Sequence, residues 1–108
     1  MSFNIPVPNK RIELSMGDGA IINVRGYGND RGPRILFGNG NGFAVDGYYP
    51  FWGKLLEKFE VVVFDARNHG QNPLAASGLA GHTYAQMVLD LNQIFKAVNH
   101  HFGKKINI

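Results

Sequence analysis

Two short runs of uninterrupted apolar residues constrain this chain most: Ile35-Leu36-Phe37 and Val61-Val62-Val63-Phe64. A strand with one face in water alternates apolar and polar side chains. A run with no polar break is expected of a strand covered on both faces, as in a parallel sheet flanked by helices. Between the runs, Pro50 suits the first helical position. Phe51, Trp52, Leu55, Leu56 and Phe59 are spaced to fall on one face of the helix it would open. Beyond the second run lies a long loop, residues 66–82, containing Asn68, Gly70, Asn72, Pro73, Gly78 and Gly81; loops of this length in a compact domain are functional or mobile. Thr83 and Gln86 then mark a capping-box start. Tyr84, Met87, Val88, Leu91, Ile94, Phe95, Val98 and Phe102 recur at helical spacing, with Gly103 as terminator. Ile106-Asn107-Ile108 reads as the start of another strand.

The opening of the chain has a different period. From Arg11 to Met16 the residues alternate, placing Ile12, Leu14 and Met16 on one face of a half-buried strand. Gly17-Asp18-Gly19 is a turn signal, and Ala20 to Tyr27 forms the second arm of the hairpin. The predicted order is β-β-β-α-β-α-β. This is an α/β fold: an antiparallel β-hairpin followed by parallel β-α-β-α-β with right-handed crossovers.

Composition narrows the function classes. The chain has 108 residues, enough for one small domain, with 44% hydrophobic and 18% charged residues and no repeat or low-complexity tract. It has no cysteine, so disulfides and thiolate metal sites are excluded. The start, MSFNIPVPNK, lacks the layout of a signal peptide, and no apolar run approaches the roughly 20 residues needed to span a bilayer. The expectation is a cytoplasmic protein with no membrane partner. The net charge is +3 and the pI about 9.4. Its lysines and arginines are scattered, without a basic stripe interleaved with aromatics, so no nucleic-acid partner is expected.

In open α/β sheets, ligands gather outside the carboxyl ends of the strands. Two loops belong there. The first, Gly38-Asn39-Gly40-Asn41-Gly42-Phe43, lets backbone N–H groups approach a ligand closely. It suits a phosphate or an oxyanion. A nucleotide-binding module using Gly38 to Gly42 has some support, because a strand precedes the loop and Asp65 ends the next strand. Against it, Phe43 occupies the place of the third glycine of G-x-G-x-x-G, the helix begins several residues after the glycines, and Asp65 comes late for a ribose-binding acid.

The second loop is Asp65-Ala66-Arg67-Asn68-His69-Gly70-Gln71-Asn72-Pro73. It resembles the D-x-R-G/N-H-G-x-S segment that follows the fourth strand of α/β-hydrolases. Asn39-Gly40-Asn41-Gly42-Phe43 looks like the H-G-N-G-F form of that family's third-strand motif, with Asn39 in place of His, and Trp52 and Leu55 fit its W-x-x-L region. The resemblance covers residues 10–108 and implies the N-terminal part of a single, incomplete hydrolase domain, 1–108. It further implies that the Asn41 backbone N–H serves an oxyanion hole, that Gly40, Gly42, Phe43 and Tyr48 bind substrate, and that no cofactor or metal is needed. Partners are a small-molecule acyl substrate and the remainder of the domain or a complementing chain.

No G-x-S-x-G is present. The resemblance therefore implies that the nucleophile, base and acid lie beyond Ile108, with the nucleophile elbow within about ten residues of it. It also implies that the 108 residues alone are inactive. A dehalogenase-like variant, with an Asp nucleophile and the Asn41 side chain on a leaving halide, belongs to the same family; a non-catalytic domain of the same fold is a further alternative. Asp65 and His69 could be read as a catalytic pair, but the resemblance assigns their segment a buttressing role. Arg67 is expected to pair locally or to bind backbone carbonyls, and Asn72 to replace the family's Ser at little functional cost. His100 and His101 suit a helix C-terminus. His82 is expected on a surface loop, and Ser77 lacks the elbow of a nucleophile.

Overall fold

A computed structural model describes residues 4–38, 44–68, 72–73 and 83–105. The strands are β1 (Lys10–Ser15), β2 (Ile21–Gly28), β3 (Arg34–Gly38) and β4 (Glu60–Phe64), and the helices are α1 (Tyr49–Trp52) and α2 (Tyr84–Phe102). The sheet order is β1-β2-β4-β3. β1 and β2 pair antiparallel, as do β2 and β4, whereas β3 and β4 are parallel. The hairpin and the parallel pair thus appear as the residue patterns predict. The strand expected from Ile106 lies outside the described residues.

One layer covers each sheet face. Ile22, Val24 and Val62 meet Ile94, Val98 and Phe102 of α2, while Tyr27, Val61 and Val63 meet Val45 and Trp52 on the other face. β4 lies between β2 and β3, and its Val61, Val62 and Val63 are fully buried, as an unbroken apolar run requires. The same expectation for β3 is corrected: Ile35, Leu36 and Phe37 are only partly buried, because β3 is the edge of the described sheet.

The segment around Pro50 also departs from expectation. Only Tyr49–Trp52 is α-helical. A 3₁₀ turn precedes it at Val45–Tyr48 and another follows at Gly53–Leu55. The tighter 3₁₀ winding changes which residues share a face. Trp52 points into the core with Leu55, Leu56 and Phe59 around it, and Phe51 is left 59% exposed.

α2 begins as predicted, with Thr83 Oγ1 accepting the Gln86 backbone N–H. The box is half made, since the Gln86 side chain reaches forward to Asp90. Gly103, at φ 97°, ends the helix in a conformation that favours glycine. Arg34 secures that end: it donates to the carbonyls of Phe102 and Gly103 and, through Nε, to Glu60 at 2.6 Å. Val88 and Leu91, expected on the buried face, are 66% and 38% exposed. They border an open cleft of about 250 Å³ between α2 and the ends of β3 and β4, lined also by Ile22, Phe64 and Met87. No described helix is long and apolar enough to cross a membrane.

Candidate functional site

The carboxyl ends of β3 and β4 lie side by side, with Gly38 opposite Phe64. Gly40, Asn41, Gly42 and Phe43 lie outside the described residues, as do His69, Ser77 and His82. What is described is the frame on which the glycine-rich loop ends. Ala44 is extended, and Val45 opens the 3₁₀ turn.

Val45 and Asp46 are held from three directions. The Val45 N–H donates to Asp65 Oδ1 at 2.6 Å, and its carbonyl accepts the Trp52 indole N–H at 3.0 Å. The Asp46 carboxylate receives Arg25 Nη2 at 2.7 Å, while Arg25 Nη1 reaches the Tyr27 hydroxyl at 2.9 Å. Asp65, Arg25 and Val45 are buried, so these bonds act where water competes little. Burial opposes the Arg25 charge, but the Asp46 carboxylate outweighs it with help from Tyr27, and the guanidinium pKa is raised. Burial raises the Tyr27 pKa despite Arg25 beside it.

Tyr48, the one sequence-predicted site residue that is described, is 36% exposed. Its ring meets Phe37 edge-on at 5.9 Å, and Phe51 lies tilted 5.7 Å from the same Phe37. Tyr48 is therefore part of an aromatic group on the α1 face of the edge strand.

The second loop is anchored at each described part. Asp65 braces Val45, in keeping with a buttressing role. Arg67 also reaches groups distant in sequence, which the expectation did not include. It makes two bonds to the carboxylate of Asp90 in α2, at 2.7 and 2.9 Å, and two to that of Asp18 in the β1–β2 turn, at 2.5 and 3.2 Å. The hydrogen bonds that Arg67 donates to both carboxylates raise its pKa, Asp90 contributing most, and the bond from Arg67 lowers that of Asp18. Asn68 follows at φ 65°, a left-handed conformation that Asn tolerates better than most residues. Asn72 is buried and bonds to β2 and to the carbonyls of Asp65 and Ala66.

Sequence reasoning missed Arg25, Asp46, Asp18 and Asp90. Two signals were available: an acidic residue, Asp90, on the apolar stripe of α2, and Arg25 inside a mostly apolar strand. His100 and His101 sit in the last turn of α2, exposed, with ring centroids 4.8 Å apart. Among the described residues, no three His, Asp or Glu side chains come together as a metal site would need.

The geometry weighs against a nucleotide site. A 3₁₀ turn and a four-residue helix follow the glycine loop, where a dinucleotide fold places a long helix whose N-terminus meets the phosphates. The Asp65 carboxylate, which a ribose would need, is buried against Val45.

A mixed sheet ordered β1-β2-β4-β3, with the braced turn Val45–Tyr48 between β3 and β4, is the N-terminal part of the α/β-hydrolase fold. No family model and no curated protein matches the chain. Among solved structures, it is similar to a hydrolase from Pseudomonas aeruginosa, with 24% identity, a TM-score of 0.68, and coverage of 84% of this chain and 33% of that one. It is similar also to the thioesterase domain of the curacin biosynthetic pathway (16% identity, TM-score 0.70, coverage 82% and 31%). A third likeness is to an epoxide hydrolase of the alpha/beta hydrolases superfamily from metagenomes of hot environments (13% identity, TM-score 0.68, coverage 83% and 30%). At these identities the likeness is one of fold. The chain spans about a third of the length of the structures it matches.

Proposed function

We propose that this chain supplies the oxyanion half of a hydrolase acting on ester, amide or similar acyl bonds. In this reading the Asn41 backbone N–H stabilises the oxyanion, and Gly40, Gly42, Phe43 and Tyr48 contact the acyl substrate. A serine nucleophile, its histidine base and the orienting acid come from sequence following Ile108 or from a companion chain. No cofactor is called for. The observation that supports the reading best is the bracing of Val45 by Asp65 and Trp52, where the glycine-rich loop rejoins described structure in a hydrolase-type fold. Oxyanion stabilisation depends on donors held in place before charge develops, and loss of one donor costs about 10²–10³ in rate.

The test has two parts. The codons following Ile108 should encode small-x-Ser-x-small at the strand-to-helix elbow; an Asp at its centre would mean the dehalogenase-like variant instead. The intact protein should turn over p-nitrophenyl esters and lose that activity to a serine-directed fluorophosphonate, whereas residues 1–108 alone should be inactive. Fluorophosphonate-sensitive turnover by the isolated 108 residues would refute the division of roles. An intact protein with neither a nucleophile at the elbow nor turnover would leave the non-catalytic alternative.

A further inference from the structure

β2 outruns its partner. The β2–β4 ladder ends at Val24 opposite Phe64, so the next β2 residue, Asn23, faces a position where β4 has already stopped. The Asn72 side chain stands in there. Its Oδ1 accepts the Asn23 backbone N–H at 2.8 Å and the Asn23 side-chain amide at 3.3 Å. Its Nδ2 donates to the carbonyls of Asp65 at 2.6 Å and Ala66 at 3.0 Å. A primary amide offers two donors and two acceptor sites, and all four are engaged. The amide works as a detached peptide unit that continues the sheet by one rung and joins β2 to the turn leaving β4.

The orientation is dictated by the partners. Flipping the amide would set N–H groups against the Asn23 N–H and an oxygen against two carbonyls. Aspartate at this position would place anionic oxygen against the same carbonyls, and serine is too short to span β2 and the turn while offering a single donor. Expecting Asn72 to be equivalent to the family's Ser therefore overlooks what this side chain does. It fixes the main chain of Asp65 and Ala66, and the Asp65 carboxylate in turn fixes the Val45 N–H.

We propose that Asn72 is a positioning residue which, through Asp65, sets the place of Val45 and so of the point where the glycine-rich loop rejoins the fold. Its catalytic consequence rests on the hydrolase reading above; its structural consequence does not. The experiment is amide hydrogen exchange and steady-state ester kinetics on the intact protein carrying Asn72→Ser, Asn72→Asp or Asn72→Ala. Loss of a buried hydrogen-bond relay should lower protection of the Asn23 and Val45 amides about tenfold or more. Protection of Val62 and Val63 at the centre of β4 should stay within about twofold, as for a local opening. kcat should fall with KM nearly unchanged, as when groups that act only in the transition state are misplaced. Equal loss of protection across β4, or an unchanged Val45 amide, would overturn the proposal. Selective loss at Val45 in a protein without esterase activity would uphold the positioning role and count against the hydrolase reading alone.

Discussion

Replacing Arg67 by Met tests whether the buried charge cluster holds this fold together. The Arg67 side chain has no solvent exposure, and Asp90, its two-bond partner, is 6% exposed. Without the guanidinium, the Asp90 carboxylate keeps the Gln86 amide at 2.9 Å but faces Ile22, Phe64, Met87, Leu91 and Ile94 around the cleft. Breaking a buried pair by removing one partner costs about 3–5 kcal/mol, because a charge stays behind without compensation. Asp18 is a third exposed and regains water, so it adds little. Set against a domain stability of about 5–15 kcal/mol, the loss is large. With a urea dependence of about 2 kcal/mol per molar, the midpoint should fall by roughly 2 M. The double variant Arg67→Met with Asp90→Leu removes both charges and puts an apolar side chain among apolar neighbours. It should recover to within about 1 kcal/mol of the parent. Urea denaturation of the intact protein and its two single variants completes the cycle. A loss below about 1 kcal/mol for Arg67→Met, or additive single losses in the double variant, would refute the reasoning.

Gly28 has φ 82°, and a Cβ there would lie 2.5 Å from the Phe59 carbonyl oxygen and 2.8 Å from that of Leu56. Gly28→Ala should therefore cost more than about 2 kcal/mol in urea denaturation, while Gly17→Ala, with open space around it, should stay within about 0.5 kcal/mol. The folded-state pKa of Asp18 is depressed below 3.8, chiefly by the Arg67 hydrogen bond, so its contribution is fully present above that value and is lost as pH falls through the folded pKa. Asp18→Asn should flatten the acid limb of a stability-against-pH curve below about pH 4 and leave its neutral plateau sloping as before. Val88 and Leu91 border the apolar cleft beside the edge strand. If the rest of a hydrolase domain packs there, Val88→Lys and Leu91→Lys should each cost about 1–3 kcal/mol in the intact protein; values within about 0.5 kcal/mol would mean that the face is in water.

The hairpin, β4 and α2 were legible because each rests on local chemistry. The period-two alternation of Ile12, Leu14 and Met16, the glycine turn after them, the unbroken valines of β4, the Thr83 cap and the Gly103 stop all depend on neighbours within a few residues. The parallel pairing of β3 and β4 follows from the helical segment between them. The partners of the buried polar groups were decided elsewhere. Arg67 meets Asp18 across 49 residues and Asp90 across 23, and Asn72 meets Asn23 across 49. A burial cost forces each such group to find a partner, but only the packed arrangement of hairpin, sheet and α2 determines which one is in reach. The same holds for Val88, Leu91 and Phe51. Their spacing marks an apolar helix face, while their exposure follows from where the described sheet ends and from the 3₁₀ winding around α1. Sequence by itself determined the hairpin, β4 and α2, because turn chemistry, helix capping and side-chain period act locally. Tertiary structure decided which charges and amides hold those segments together, because reach across the fold is a property of the assembled layers.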